Sequence, residues 1–299
     1  GLVRQRRAEG YAGVKLRVKS MDLERMVDVV AAAREAAGPS MEIMVDANLG
    51  WPVEILESTP RWDLAFAARF ACAIERHKVA WLEEPLHRGD FEGLAALRSA
   101  TRTPIAGGEI NTTWRDYLDM LDRGCLDVYQ PDAVMAGGTY AGGISVVRWV
   151  QREIARRNET RPAGEKAVRY TPHTWTNGLG FAVNLQLCGV IPAEERGLLE
   201  YPYDENWTVQ QWAMFIRGGF PRDSEGRIRI PDGPGLGVEI DWDVIRRFGK
   251  RVYLGTPTTV AVTALSEYGI RAALQLRKKK DALSRASQGV AFAVPEPPF

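Results

Sequence analysis

The chain has 299 residues, 45% of them hydrophobic and 26% charged, with 39 basic against 38 acidic side chains and a net charge of +1. That length admits about two ordinary domains of ~150 residues or one α/β barrel of ~250, and it folds without disulfides or a structural metal. Balanced charge excludes a general nucleic-acid or anionic-membrane binder, and three scattered cysteines without a CxxC exclude a disulfide framework and a thiolate zinc site.

Those cysteines, Cys72, Cys125 and Cys188, suit a reducing, cytoplasmic setting. No apolar run reaches the ~18 residues of a membrane span, and residues 1–7 carry no apolar core of a secretory signal.

In chain order, the first predicted strand is 14–19, where period 2 puts Lys15, Arg17 and Lys19 on one face. A helix follows over 23–37, with Ser20 as N-cap, a stripe of Leu23, Met26, Val27 and Val30, and a Gly38-Pro39 stop. The next strands, 42–46, 79–83 and 104–109, end in Asp46, Glu83 and Glu109. Strand 127–132 closes on Gln-Pro-Asp132, strand 168–174 on Thr-Pro-His173-Thr, and strand 197–201 on Glu200-Tyr. Residues 51–60 and 157–167 read as inserted surface loops. Beyond Tyr201 the alternation stops in favour of a Gly/Pro-rich stretch, with a last helix over 262–283. Its Arg-Lys-Lys-Lys run at 277–280 is expected to be a solvated face, a binding patch being the alternative.

Strands that alternate with amphipathic helices make parallel βαβ units. Seven of them without GxGxxG or GxxxxGK[ST] fit a closed barrel better than an open nucleotide-binding sheet. Functional groups then belong at the C-terminal strand ends. One terminal carboxylate is commonly a surface residue or a helix cap. Three on adjacent strands crowd negative charge that protons or a divalent cation must offset, and an oxygen-only set suits Mg²⁺ or Mn²⁺. Lys15 and Arg17, costly on an inward face, become complementary beside such a site and to an anionic substrate; the alternative is an exposed edge face. Across the ring, Asp132 can fix the tautomer of His173 and raise its basicity. His77, late in a helix, and His87, in a loop, are assigned no role.

Lys-x-Arg, V-D-A-N-L-G-W, W-L-E-E-P-L, A-G-G-E, Q-P-D-A-V-M-A-G-G, P-H-T and L-L-E-Y together resemble the enolase superfamily, mandelate racemase branch. Residues 231–237 are similar to that branch's barrel-closing segment, and the resemblance runs from about residue 8 to 241. It implies a modified (β/α)7β barrel over 1–241, with 242–299 as an extension packed on it. It also implies Asp46, Glu83 and Glu109 as Mg²⁺ ligands, Lys15 and Asn48 at the substrate carboxylate, and His173 with Asp132 as the acid/base dyad. Glu200 is implied to hydrogen-bond the carboxylate as it becomes an enediolate. The common step is removal of the proton α to a carboxylate.

Two departures shape the expectation. Racemases of this type carry Lys-x-Lys with the second lysine as a base, whereas Arg17 is too weakly acidic to serve as one at neutral pH. A single base favours dehydration of a sugar acid, with Arg17 stabilising charge. The rivals are a racemase or epimerase, a non-catalytic barrel that binds acids or partners, and a Schiff-base aldolase using Lys15. Second, the family's N-terminal capping domain and first barrel strand are expected to be absent from the chain, with 251–262 as a candidate replacement strand. The protein is expected to be a homo-oligomer.

Overall fold

The computed structural model describes residues 1–51, 61–136, 143–204 and 207–250, with scattered helical residues between 258 and 278. Most of the 51–60 insertion, the 251–262 strand candidate and the 262–283 helix lie outside the described residues. Contacts divide the chain into two units, Gly1–Asp241 and Trp242–Phe299. In its described part the second unit carries a helix at Trp242–Phe248.

The first unit runs α1 (Leu2–Ala8), β1 (Gly13–Arg17), α2 (Leu23–Ala37), β2 (Glu42–Asp46), α3 (Leu64–Ile74), β3 (Trp81–Glu83) and α4 (Phe91–Ala100). It continues with β4 (Ile105–Gly107), α5 (Trp114–Asp122), β5 (Val128–Tyr129), α6 (Gly143–Glu159), β6 (Arg169–Tyr170) and α7 (Gly178–Gly189). The six strands pair in sequence order and are all parallel.

Helix α2 shows how the pattern becomes an element. Met26, Val27, Val30, Ala33 and Ala37 recur at helical spacing and are buried against the sheet. The expected cap is displaced: Asp22, immediately before Leu23, accepts from the Arg25 amide, and Ser20 Oγ instead accepts from the Asp22 amide at 3.0 Å. Two residues too early, Ser20 cannot reach the orphan amides of the first turn.

A small cluster of Met44, Trp81, Ala106 and Val128 is buried on the strands, with Leu198 packed against it. The larger core fills the layer between strands and helices, around Ile43, Phe70, Leu82, Ile105, Tyr129 and Val147.

Two expectations are corrected. Residues 197–201 are not paired into the sheet. They are fastened by side chains: Thr174 Oγ1 donates to the Glu200 carbonyl and the Thr174 amide donates to Glu200 Oε2 at 2.9 Å. A Cβ on Gly13 of β1 would stand 2.8 Å from Leu198 Cδ1, so the segment nonetheless abuts β1. The loop expected over 157–167 begins later, because α6 persists to Glu159. Arg157 is held by Glu153 one turn earlier at 2.7 Å and by Asp122 at 2.5 Å, which keeps the last turn helical. Among the described residues no helix is long and apolar enough to cross a membrane.

Candidate active site at the strand ends

Register places the polar residues side by side. Arg17 pairs with Asp46 across β1 and β2, and Asp46 with Glu83 across β2 and β3. The Asp46 and Glu83 side chains are 2% and 1% exposed as residues, so their charges must be met inside the protein.

Lys15 meets them. Its Nζ lies 2.9 Å from Glu83 Oε1, 2.8 Å from Glu200 Oε1 and 3.9 Å from Asp46 Oδ2. Burial alone would lower the lysine pKa, but Glu200, Glu83 and Asp46 together hold it well above the ordinary value. Glu200 goes the other way: burial opposes its charge, yet Lys15 and His173 draw its carboxyl down to about 2. Arg17 reaches Asp46 Oδ2 at 3.5 Å with a side chain 63% exposed, a partner on the rim. Lys19 falls beyond the end of β1.

These cations do not fully offset the carboxylates. Burial, and then the charge of Glu83, push Asp46 up to about 7 against the opposing Lys15 and Arg17. Glu109 is raised by burial, with His173 opposing. It lies two residues beyond β4 and turns its Oε2 toward His173 Nε2 at 3.3 Å. Asn48 follows β2 in the left-handed region (φ 52°), which asparagine tolerates, and its amide donates to Asp46 Oδ1 at 2.7 Å.

As a donor set, buried carboxylates with unmet negative charge fit a hard divalent cation. Among the described residues, however, no three carboxylate, imidazole or thiol groups are drawn together as a ready-made metal cluster. Lys15 stands between Asp46 and Glu83 as their counterion, and Glu109 is turned to the imidazole.

On the far side, His173 Nδ1 lies 2.9 Å from Asp132 Oδ2, with Asp132 wholly buried. Burial would lower the imidazole pKa. The Asp132 hydrogen bond, then Glu200 and Glu109, overcome this and raise it to about 9. His173 therefore brings together the groups of both sides, with Nε2 toward Glu109 and Nδ1 committed to Asp132. His77 and His87 lie elsewhere, His77 in a 3-10 turn and His87 in the loop after β3.

Several site residues were missed by sequence reasoning. Glu83 Oε2 accepts from Trp81 Nε1 at 3.0 Å and from Gln130 Nε2 at 3.1 Å. Strand alternation placed Trp81 on the Glu83 face, and Gln130 sits in the Gln-Pro-Asp that closes its strand; both signals are present in the sequence. Glu84, 4% exposed, has both carboxyl oxygens buried without a hydrogen-bond partner among the described residues. Burial, then the charges of Glu109, Glu83 and Asp46, raise its pKa well above the ordinary range.

The chain matches the enolase C-terminal domain-like family over residues 2–244 and belongs to that family. It is 36% identical over 251 residues to an L-talarate/galactarate dehydratase of Salmonella typhimurium, covering 82% of this chain and 53% of that protein. It is 31% identical over 249 residues to a D-galactarolactone cycloisomerase of Agrobacterium fabrum, covering 82% and 58%. Among solved structures, an L-talarate/galactarate dehydratase variant liganded with Mg and L-glucarate is similar at a TM-score of 0.64 and 27% identity, covering 84% and 53%. The chain thus spans about half the length of these relatives.

Proposed function

We propose that the protein belongs with the acid-sugar dehydratases of the mandelate racemase branch and is a Mg²⁺-dependent hydro-lyase. It would remove the proton α to a carboxylate and eliminate water from a sugar acid. One observation carries this reading: a buried His173–Asp132 pair faces a carboxylate-rich strand-end cluster, with Arg17 on Asp46 in the motif position that the resemblance gives to a second base. The named relatives, a dehydratase and a cycloisomerase of sugar acids or their lactones, support the substrate class.

Asp46, Glu83 and Glu109 would hold the Mg²⁺, with Mn²⁺ the substitute, on the chemistry of their oxygens. When bound, such an ion neutralises the substrate carboxylate and favours loss of the α-proton. Lys15 would present the cation that grips the carboxylate, joined there by Asn48, whose amide donates to Asp46, while Glu200 pairs with Lys15. His173 Nε2 moves the proton. Its neutral form takes the α-proton, the C–H electron pair becomes the C=C bond, and the β-hydroxyl leaves with the proton from Nε2 as water. The enol product ketonises to a 2-keto-3-deoxy acid. Asp132 holds Nδ1–H throughout, so the tautomer with an unprotonated Nε2, on the Glu109 side, is the one presented.

Arg17 removes the specific support for racemisation, since a guanidinium is a poor base and this one rests on Asp46. Cysteine usage supports a cytoplasmic setting, and exposed barrel helices support a homo-oligomer. A semicarbazide screen over a sugar-acid library with Mg²⁺ tests the activity. Solvent deuterium in recovered substrate without net dehydration would point to epimerisation instead.

A further inference from the structure

We propose that Asn184 of α7 is the positioning residue of the His173–Asp132 pair, the side chain that sets the direction of Asp132 and the reach of His173. The inference rests on the dehydratase reading for its purpose, but not for its geometry.

Helix α7 is otherwise apolar where it is buried, with Phe181, Ala182, Leu185 and Leu187. Asn184 is the polar exception and is 0% exposed. Its Nδ2 donates to Asp132 Oδ1 and to the His173 backbone carbonyl, each at 3.1 Å. Its Oδ1 accepts from the Ala133 amide at 3.0 Å. The amide orientation follows from the partners, because a backbone N–H requires the oxygen, while a carboxylate and a carbonyl require the nitrogen.

One amide therefore binds the segments that follow β5 and β6, together with the Asp132 carboxylate. Asp132 Oδ1 is taken by Asn184 and by the Val134 amide at 2.8 Å, which leaves Oδ2 for His173 Nδ1 at 2.9 Å. Fixing both oxygens fixes the line along which the imidazole hangs. Because Asn184 also holds the His173 carbonyl, it sets the depth of the imidazole as well as its direction. A leucine of similar volume would fill the space but leave Asp132 free to rotate, since its remaining partner on Oδ1 is local. Partners one bond removed from a functional imidazole are commonly worth about 10–100-fold when replaced.

The test uses the full chain and its three histidines. In ¹⁵N-histidine-labelled protein, the Nδ1-bound proton of His173 gives a downfield resonance, assigned by its loss in His173→Asn. Asn184→Asp keeps the shape and the acceptor for Ala133 but loses the donated bonds; Asn184→Leu loses all of them. The expected result is loss or a large upfield shift of that resonance in both variants, with the His77 and His87 signals unchanged. On a sugar acid turned over by the wild type, kcat should fall about 10-fold or more with KM within about twofold. An unchanged Nδ1 proton in folded Asn184→Leu overturns the proposal. So does loss of all three histidine signatures in both variants, which would make Asn184 a residue of the fold alone. Because the proton is read without substrate, a wild type inactive on every sugar acid would overturn the dehydratase reading and leave the resonance to decide the positioning.

Discussion

The β1–β3 side of the strand-end ring and the β5–β6 side carry similar chemistry under different constraint. On the first, Lys15 stands between Glu83, Glu200 and Asp46, and Asp46 is still pushed up to about 7. On the second, both oxygens of Asp132 are hydrogen-bonded and the imidazole is raised to about 9. Unmet charge marks a place for a further cation, whereas a fully bonded network marks a place where geometry must already be right. The same fold thus keeps an electrostatically strained half beside a rigid, satisfied one.

Breaking the rigid half has the largest expected effect. His173→Asn should lower kcat by about 10²–10⁴-fold in the semicarbazide assay, the ordinary worth of a positioned acid–base group. It should leave the thermal shift produced by Mg²⁺ unchanged. Turnover equal to wild type would sink the dyad assignment.

Loading the strained half comes next. Mg²⁺ at 100 times its Kd adds about 2.7 kcal/mol to the native state. At roughly 2–4 °C per kcal/mol, that raises Tm by about 5–10 °C. Glu83→Gln should abolish the rise and Asp132→Asn should not; an equal rise in both would separate the ion from these carboxylates.

A smaller effect sharpens the contrast through pH. Asp46 has a raised folded pKa, from 3.8 to about 7, so its ionisation is harder in the folded than in the unfolded chain. Stability is therefore lost as pH rises from ~4 to ~7, and stays lost above. Without Mg²⁺, Asp46→Asn should raise Tm by a few degrees more at pH 8 than at pH 4, measured by thermal unfolding. A difference that is the same at both pH values would contradict the strain.

Arg17→Lys should matter least to the fold. With the Arg17 side chain 63% exposed on a 3.5 Å contact, its exchange should change stability by less than ~0.5 kcal/mol, about 1–2 °C in Tm.

Much of this was legible in the residues, for reasons that can be named. Period 2 put Lys15 and Arg17 on the face of Asp46, and the register confirms Arg17 opposite Asp46. Strand ends read from their last polar residue brought Asp46, Glu83, Glu109, Asp132, His173 and Glu200 to one end of the sheet. What escaped depends on side-chain direction. No spacing rule shows that Lys15 would fill the space between Asp46 and Glu83, or that Glu109 would turn to His173. Asn184 sits on a helix in an apolar run, where sequence distance hides its approach to residues 52 and 11 positions away. Residues 197–201 misled because apolar and aromatic character does not report whether the backbone or the side chains make the join.

That join has a consequence. Along the sheet from β1 to β6, neighbours are laced by backbone ladders that neither pH nor salt unpicks. Between residues 197–201 and β1, a polar tie is the Lys15–Glu200 ion pair, and Leu198 packs close to Gly13. The cation that would receive an acid is thus also a clasp of the ring. An anion that engaged Lys15 would draw on the same charge that fastens residues 197–201 to β1, so occupancy of the site and tightness of that join would be thermodynamically linked.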